Sequence, residues 1–324
     1  MRERRPSSGG LARALHITPR NVFLLVMLGL LVHFLLPQLG QVRAALNALR
    51  HADPLAVTGA LLAAAATYLF SALALRLAAP TPVPLGRTVA VQVAAAFVNR
   101  IAPGALGGAA LSLRYLHRQG LAVPAAATAV AVNRVAGVLG VALLLPVLLP
   151  FTRETRRHLV DAAAGRALAV LLTVLAVLVA VAVALAVPRW RARLRAARRQ
   201  VADALRALVR GGRLVPLLTV SVALTLAYAV ALWLALLAVG LPATAALLAP
   251  VVLVSVVGEG VATAAPTPGG LGATEAALVS GLLLYGVPTG TAVAGVLVYR
   301  LATFWLPVLP GYVALRLLVR RGAV

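Results

Sequence analysis

Five stretches of this chain carry no Asp, Glu, Lys or Arg over lengths that can cross a bilayer: Asn21–Val42, Pro54–Leu75, Ala167–Pro188, Leu214–Gly258 and Ala276–Tyr299. A helix covers the hydrocarbon core with about 20 apolar residues. Each run therefore suffices for one pass, and the fourth for two. Lipid offers no partner for backbone N–H and C=O groups, so the runs are expected as helices, and the alternation of a transmembrane β-barrel is absent. Composition agrees: hydrophobic residues make up 62% and charged residues 11%, where a soluble domain carries about 25% charge. The expected fold class is an all-α integral membrane protein, a polytopic helical bundle.

The formal net charge of +23 does not mark a nucleic-acid binder, because the basic residues, all Arg, lie between apolar runs or at their ends. There is no Cys, which excludes disulfides, thiolate catalysis and Cys-ligated metals. His16, His33, His51, His117 and His158 are scattered without zinc-ligand spacing. No metal and no cofactor are expected. The first run lacks a small-residue cleavage site and reads as a retained helix.

Arg near helix ends marks the cytoplasmic side. Residues 1–20 form a basic tail, Arg189–Arg213 is dense in Arg, and Arg316, Arg320 and Arg321 sit near the C-terminus. All three are expected inside, and the loop Thr152–Arg166 outside. Spans are then expected at about Asn21–Pro37, Leu55–Leu77, Ala122–Leu149, Ala167–Val187, Leu214–Val239 and Gly290–Leu318, the last broken at Pro307 or Pro310. Thr88–Asn99 is too short to span. With Arg100-Ile-Ala-Pro-Gly-Ala-Leu-Gly-Gly and the stretch to Tyr115 it reads as a re-entrant hairpin. Ala243–Glu259 is marginal. With Ala265-Pro-Thr-Pro-Gly-Gly-Leu-Gly and Ala273–Tyr285 it reads as a second hairpin. The expectation is six full spans and two hairpins, with both termini cytoplasmic in the cell membrane. The transmembrane domain covers residues 21–318, followed by a tail at 319–324.

The hairpins share a pattern. Pro103, Gly104 and Gly107 recur as Pro268, Gly269 and Gly272, with Gly270 between them. Arg134 recurs as Arg300 at almost the same offset. The halves, about 21–150 and 167–318, thread with opposite orientation, which is the inverted repeat of many secondary transporters. Pro stops a helix and Gly frees the backbone, so each following half-helix starts with unpaired N–H groups that attract anions. Two ordinary Gly-Pro turns would also produce this pattern.

The stretch from Thr267 through Leu278, then Gly286-Val-Pro and Val298-Tyr-Arg-Leu-Ala-Thr-Phe-Trp-Leu-Pro, closely resembles the flippase-like membrane domain of lysylphosphatidylglycerol synthases. Asn99-Arg100 through Gly108 and Asn133-Arg134 look like the matching N-terminal elements. The resemblance implies a bacterial lipid translocase in the cytoplasmic membrane. It also marks a departure: the family often has an acid just after the first Gly-Gly, with an Arg soon after, where this chain has Ala109, Ala110 and Leu111, and Arg114 is the first basic residue. No residue up to Val324 corresponds to the aminoacyl-transferase domain of bifunctional members, so a stand-alone member is expected and lysyl transfer is not.

Seven acids exist in all, and two lie in apolar surroundings, Glu259 and Glu275. Glu275 is placed to offset a helix N-terminus, and to pair with Arg300 or Arg134 or contact a cationic headgroup; Glu259, a buried or an interfacial acid, is a headgroup candidate beside it. Arg134 and Arg300 are the leading headgroup ligands, since Arg grips phosphate bidentately. The alternative is snorkelling to the interface. Arg100 ranks lower, as does Arg114; both can simply mark the surface. Asn133 and Asn99 can bond between helices or select a ligand. Arg189–Arg213 reads as an amphipathic helix on an anionic leaflet.

The leading functional expectation is a lipid translocase. Its partners would be membrane phospholipids, anionic or aminoacylated, with no nucleic acid; a homo-oligomer is left open. Two alternatives stand beside it: an intramembrane enzyme acting on a lipid-linked substrate, and a non-catalytic partner of such an enzyme. An enzyme would need a base and a nucleophile together, and the scarcity of buried acids argues against it.

Overall fold

Asp53 and Pro54 begin the first long helix by ordinary capping chemistry. The Asp53 carboxylate accepts from the Leu55 N–H at 2.9 Å, and Pro54 occupies a first-turn position that needs no N–H. This helix, α1, runs Pro54–Ala78. A computed structural model provides the architecture; it describes residues 44, 46–50, 52–101, 106–148, 150, 188–265 and 267–324. The expected spans at 21–37 and 167–187, the loop 152–166, and Pro103 and Gly104 lie outside the described residues.

The helices that follow are α2 (Leu85–Ile101), α3 (Leu106–Arg118), α4 (Val123–Leu148), α5 (Pro188–Arg210), α6 (Leu214–Ala238), α7 (Leu248–Ala264), α8 (Ala273–Leu284), α9 (Thr289–Arg300) and α10 (Val308–Arg320). There is no strand among the described residues. Among the described residues, five segments are long and apolar enough to cross a membrane: Pro54–Ala78, Val123–Leu148, Leu214–Ala238, Ala245–Ala264 and Thr289–Arg320. Large apolar side chains such as Leu55, Val138, Val215 and Leu309 remain exposed. Water would penalise such a surface and lipid tails accept it. The chain is a multi-pass helical membrane protein.

Small residues set the closest packing. Ala56, Ala60 and Ala64 on α1 are buried at four-residue spacing, as are Ala227, Ala231 and Ala235 on α6. Such stripes let helix backbones approach where no hydrophobic effect drives association, and α1 and α6 make the most extensive helix pair. The C-terminal end of α1 is held from outside: Arg213, just before α6, donates to the carbonyls of Arg76 and Ala79 at 3.0 and 2.8 Å. These are the carbonyls that a helix end leaves without a partner.

The short helices pair as the sequence suggests. α2 packs on α3, and α7 on α8. With 17 and 13 residues, α2 and α3 rise about 25 and 20 Å, short of a full crossing. In the second pair α7 differs from expectation. Glu259 does not end it; the helix continues to Ala264, and with the preceding 3₁₀ turn the segment reaches 20 residues. The first charge after an apolar run is a poor marker of the helix end here, because the Tyr299 hydroxyl meets the Glu259 carboxylate at 2.6 Å. The turn Pro268–Gly270 then touches α2. A Cβ on Gly269 would lie 2.5 Å from Phe304 and 3.5 Å from the Arg100 Cα, so Gly is required there for approach as well as for its φ of +62°.

The last span is interrupted, as Pro307 and Pro310 suggest. α9 ends at Arg300, Leu301–Trp305 forms a π-helical turn, and α10 restarts at Val308. Gly311 on α10 lies against Phe97 and Val93 of α2, and Tyr312 meets Phe97 edge-on at 5.7 Å.

α5 contains most of the Arg-rich segment. Its Leu208 is buried in a cluster with Ala74, Ala78 and Leu217, while Arg206 pairs with Asp203 on its exposed side.

Candidate functional site

Acids are few in this chain, and the two that lie in apolar surroundings are both engaged. Glu275 lies in the first turn of α8. One carboxylate oxygen accepts from the Gly272 N–H at 2.7 Å. The other accepts from Arg300 Nε at 2.7 Å. The two side chains are 12% and 5% exposed, so Arg300 does not snorkel. One carboxylate thus offsets the positive end of α8 and neutralises a buried guanidinium. The other expected pairing, with Arg134, is not the one adopted. Arg300 also stands over the Phe304 ring, 4.3 Å from its centre.

Arg100 ends α2 and points inward. Its Nε donates to the Phe304 carbonyl at 2.6 Å and its Nη2 to the Thr303 carbonyl at 2.8 Å. The reason lies four residues beyond Thr303. Pro307 has no N–H, so the regular helical bond to the Thr303 carbonyl cannot form. The π turn, closed by the Leu306 N–H on the Leu301 carbonyl at 2.9 Å, shifts the ladder further. A guanidinium from the first hairpin occupies the gap. Its carbon lies 4.7 Å from the Phe304 ring centre, so Arg100 and Arg300 share one aromatic ring. The Tyr68 hydroxyl of α1 also faces Arg100. A surface-marking role for Arg100 does not fit this placement.

Glu259 accepts a 2.6 Å hydrogen bond from the hydroxyl of Tyr299, whose side chain is fully buried. One turn earlier on α7, the Ser255 hydroxyl is buried without a partner. Asn133 and Arg134 lie adjacent on α4, and Arg134 is exposed. Asn99 acts structurally. Its side-chain oxygen accepts from the Gly108 N–H at 2.6 Å, capping the start of α3.

These groups surround one cavity of about 840 Å³. Arg100, Asn133, Arg134, Glu259 and Arg300 all line it, and Glu275 stands behind Arg300. Gly269 of the second turn lines it too; Gly107, in the first turn of α3, and Gly270 and Gly272, in and after the second turn, are not among its lining residues. Gly270 and Gly272 have φ of +68° and +81°. Arg114 is not among the lining residues. Sequence reasoning missed Tyr299, Phe304, Tyr68 and Ser255. Tyr299 had a usable signal, since it is a polar residue beside the mid-run Arg300.

The cavity's walls mix Arg with apolar side chains such as Leu75, Val130, Val138 and Val141. With Arg300 balanced by Glu275 behind it, Arg100 and Arg134 against Glu259 leave the described lining with an excess of positive charge. Its chemistry suits an amphipathic ligand with an anionic head. No curated protein matches the chain. Residues 21–311 match the family model described as the lysylphosphatidylglycerol synthase TM region. The chain therefore belongs to the lysylphosphatidylglycerol synthase transmembrane-region family, a membrane family concerned with lipid modification or translocation.

Proposed function

We propose that this protein is a lipid translocase, which carries the anionic headgroup of a phospholipid through the cavity between its two hairpins. The observation that carries the reading is the cavity itself: about 840 Å³ lined by Arg100, Arg134 and Arg300 among apolar side chains. Buried charge in a bilayer is costly and marks a pathway or a site. Arg134 is the headgroup ligand of first rank, because it lines the cavity and is exposed there. Arg300 is paired with Glu275, which balances its charge, and Arg100 is bonded to the carbonyls of the π turn, where its charge contributes field. The contact of the Pro268–Gly270 turn with α2 forms the gate whose opening exposes the cavity to one leaflet at a time. In this reading both termini are cytoplasmic and the protein resides in the cell membrane.

The test is a leaflet-crossing assay in proteoliposomes made with the full chain. Fluorescent phosphatidylglycerol and phosphatidylcholine are each scored by the fraction that a membrane-impermeant quencher reaches. Faster crossing of phosphatidylglycerol than in protein-free vesicles, lost in Arg134→Ala, is the expected result. Equal rates with and without folded protein overturn the reading.

A further inference from the structure

The cavity that favours an anion also contains a carboxylate, and that conflict needs a physical resolution. Glu259 sits on α7 with its side chain toward the cavity and one oxygen held by the Tyr299 hydroxyl. A lipid phosphate entering the same space brings a second negative charge. Two like charges within a few ångströms, in a medium of low dielectric, repel strongly.

The surrounding groups do not remove the conflict. From α9, Arg300 is paired with Glu275 of α8, and Tyr299 is a neutral donor. From α2, Arg100 is bonded to two backbone carbonyls. Tyr228 of α6 and Tyr68 of α1 contribute phenols, and Arg134 of α4 is the cation set to meet the ligand. Once a phosphate has taken up the positive field, Glu259 is the negative charge left facing it. The structure supplies a second feature that fits a neutral carboxyl. A protonated carboxyl needs an acceptor for its new O–H. Ser255 lies four residues before Glu259, hence on the same face of α7 at about 6 Å between β-carbons. Its hydroxyl is buried, lines the same cavity and has no partner.

We infer that Glu259 is a proton-binding site coupled to the lipid: the carboxylate takes up one proton from water when an anionic headgroup enters the cavity, and releases it when the headgroup leaves. The inference rests on the translocase reading and adds its coupling ion. Linkage makes the effect reciprocal, so low pH tightens headgroup binding and a bound headgroup favours protonation. Tyr299 holds the ionised form in the empty cavity. Ser255 receives the hydrogen bond of the protonated form. A proton gradient across the membrane would then bias the direction of lipid movement.

The experiment uses purified full-length protein in detergent and short-chain dihexanoyl phosphatidylglycerol as the probe. Isothermal titration in two buffers of different ionisation enthalpy counts the protons taken up on binding. Wild type should take up a fraction of a proton per lipid, at most about half for a tenfold coupling, in the pH window between the carboxyl's titrations without and with lipid. Glu259→Gln keeps an oxygen for the Tyr299 hydroxyl. It should take up none and bind roughly tenfold tighter than wild type at alkaline pH, because the like charge is gone. Tyr299→Phe covers the case in which the Gln variant does not fold. Losing the donor to the ionised form, it should show its proton uptake displaced to higher pH. Lipid binding without proton uptake by wild type, or equal uptake in wild type and Glu259→Gln, overturns the inference and leaves the translocase reading standing. No binding of the probe at any pH overturns the anionic-lipid reading, and this inference with it.

Discussion

The two hairpins solve one problem in different ways. Each must start a helix, α3 at Leu106 and α8 at Ala273, with N–H groups that lack helical partners. In the second, the answer is local and charged: Glu275 takes the Gly272 N–H and at the same time the Arg300 guanidinium. In the first, the answer comes from the opposite arm and is neutral: Asn99 of α2 takes the Gly108 N–H. At the place where Glu275 would recur, the first hairpin has Ala109 and Ala110. Arg300 is accordingly buried against its acid, while Arg134 is exposed on the cavity wall. The two matched arginines differ: Arg300 is held inside the fold by Glu275, and Arg134 stands on the cavity wall, while Arg100 of the first side also holds the fold and Glu259 of the second faces the cavity.

The largest break in that comparison comes from Glu275→Ala. It strands a buried guanidinium and uncaps α8, with an expected loss of about 3–5 kcal/mol. Thermal unfolding in detergent would register it, and Glu275→Gln should recover only part. Arg100→Ala comes next. It leaves the Thr303 and Phe304 carbonyls without their donors, at a cost of about 1–3 kcal/mol, and loosens the contact between the hairpin and the last span. Limited proteolysis near the π turn should become faster. Asn99→Ala removes a neutral cap and should cost about 0.5–2 kcal/mol, read by the same melting curve. Arg134→Ala removes an exposed side chain and should cost less stability than Glu275→Ala, yet reduce phosphatidylglycerol crossing more than any of the others. A large loss of stability in Arg134→Ala would erase the distinction between the two arginines.

Much of this was legible because charge is so scarce. A lone Arg with 24 uncharged residues before it and 15 after is hard to bring to the interface, and Glu275 was one of two acids in apolar surroundings to pair with it. The Pro-Gly pattern announced interrupted helices, and the turn at Pro268–Gly270 has the positive φ that such glycines permit. Arg100 was less readable. Its partners lie some two hundred residues away and are backbone carbonyls, which carry no side-chain signal. Only Pro307, four residues past Thr303, hinted that a carbonyl would be open. The length of α7 was hidden for a related reason: Glu259 looks like a boundary, but a carboxylate inside a membrane helix is tolerable when a phenol such as Tyr299 meets it. Local periodicity does not reveal a partner supplied by another helix.

Entry of a lipid headgroup into the cavity between the hairpins is the step on which the proposed function depends. Its most direct test is photo-crosslinking with phosphatidylglycerol that carries a diazirine on the headgroup, followed by mapping of the adducts by mass spectrometry. Adducts are expected on cavity-lining positions of α3, α4 and α7, around Ala109, Asn133 and Glu259, and should be reduced by Arg134→Ala. Adducts confined to helix ends and to the exposed apolar faces, unchanged in that variant, would contradict headgroup entry.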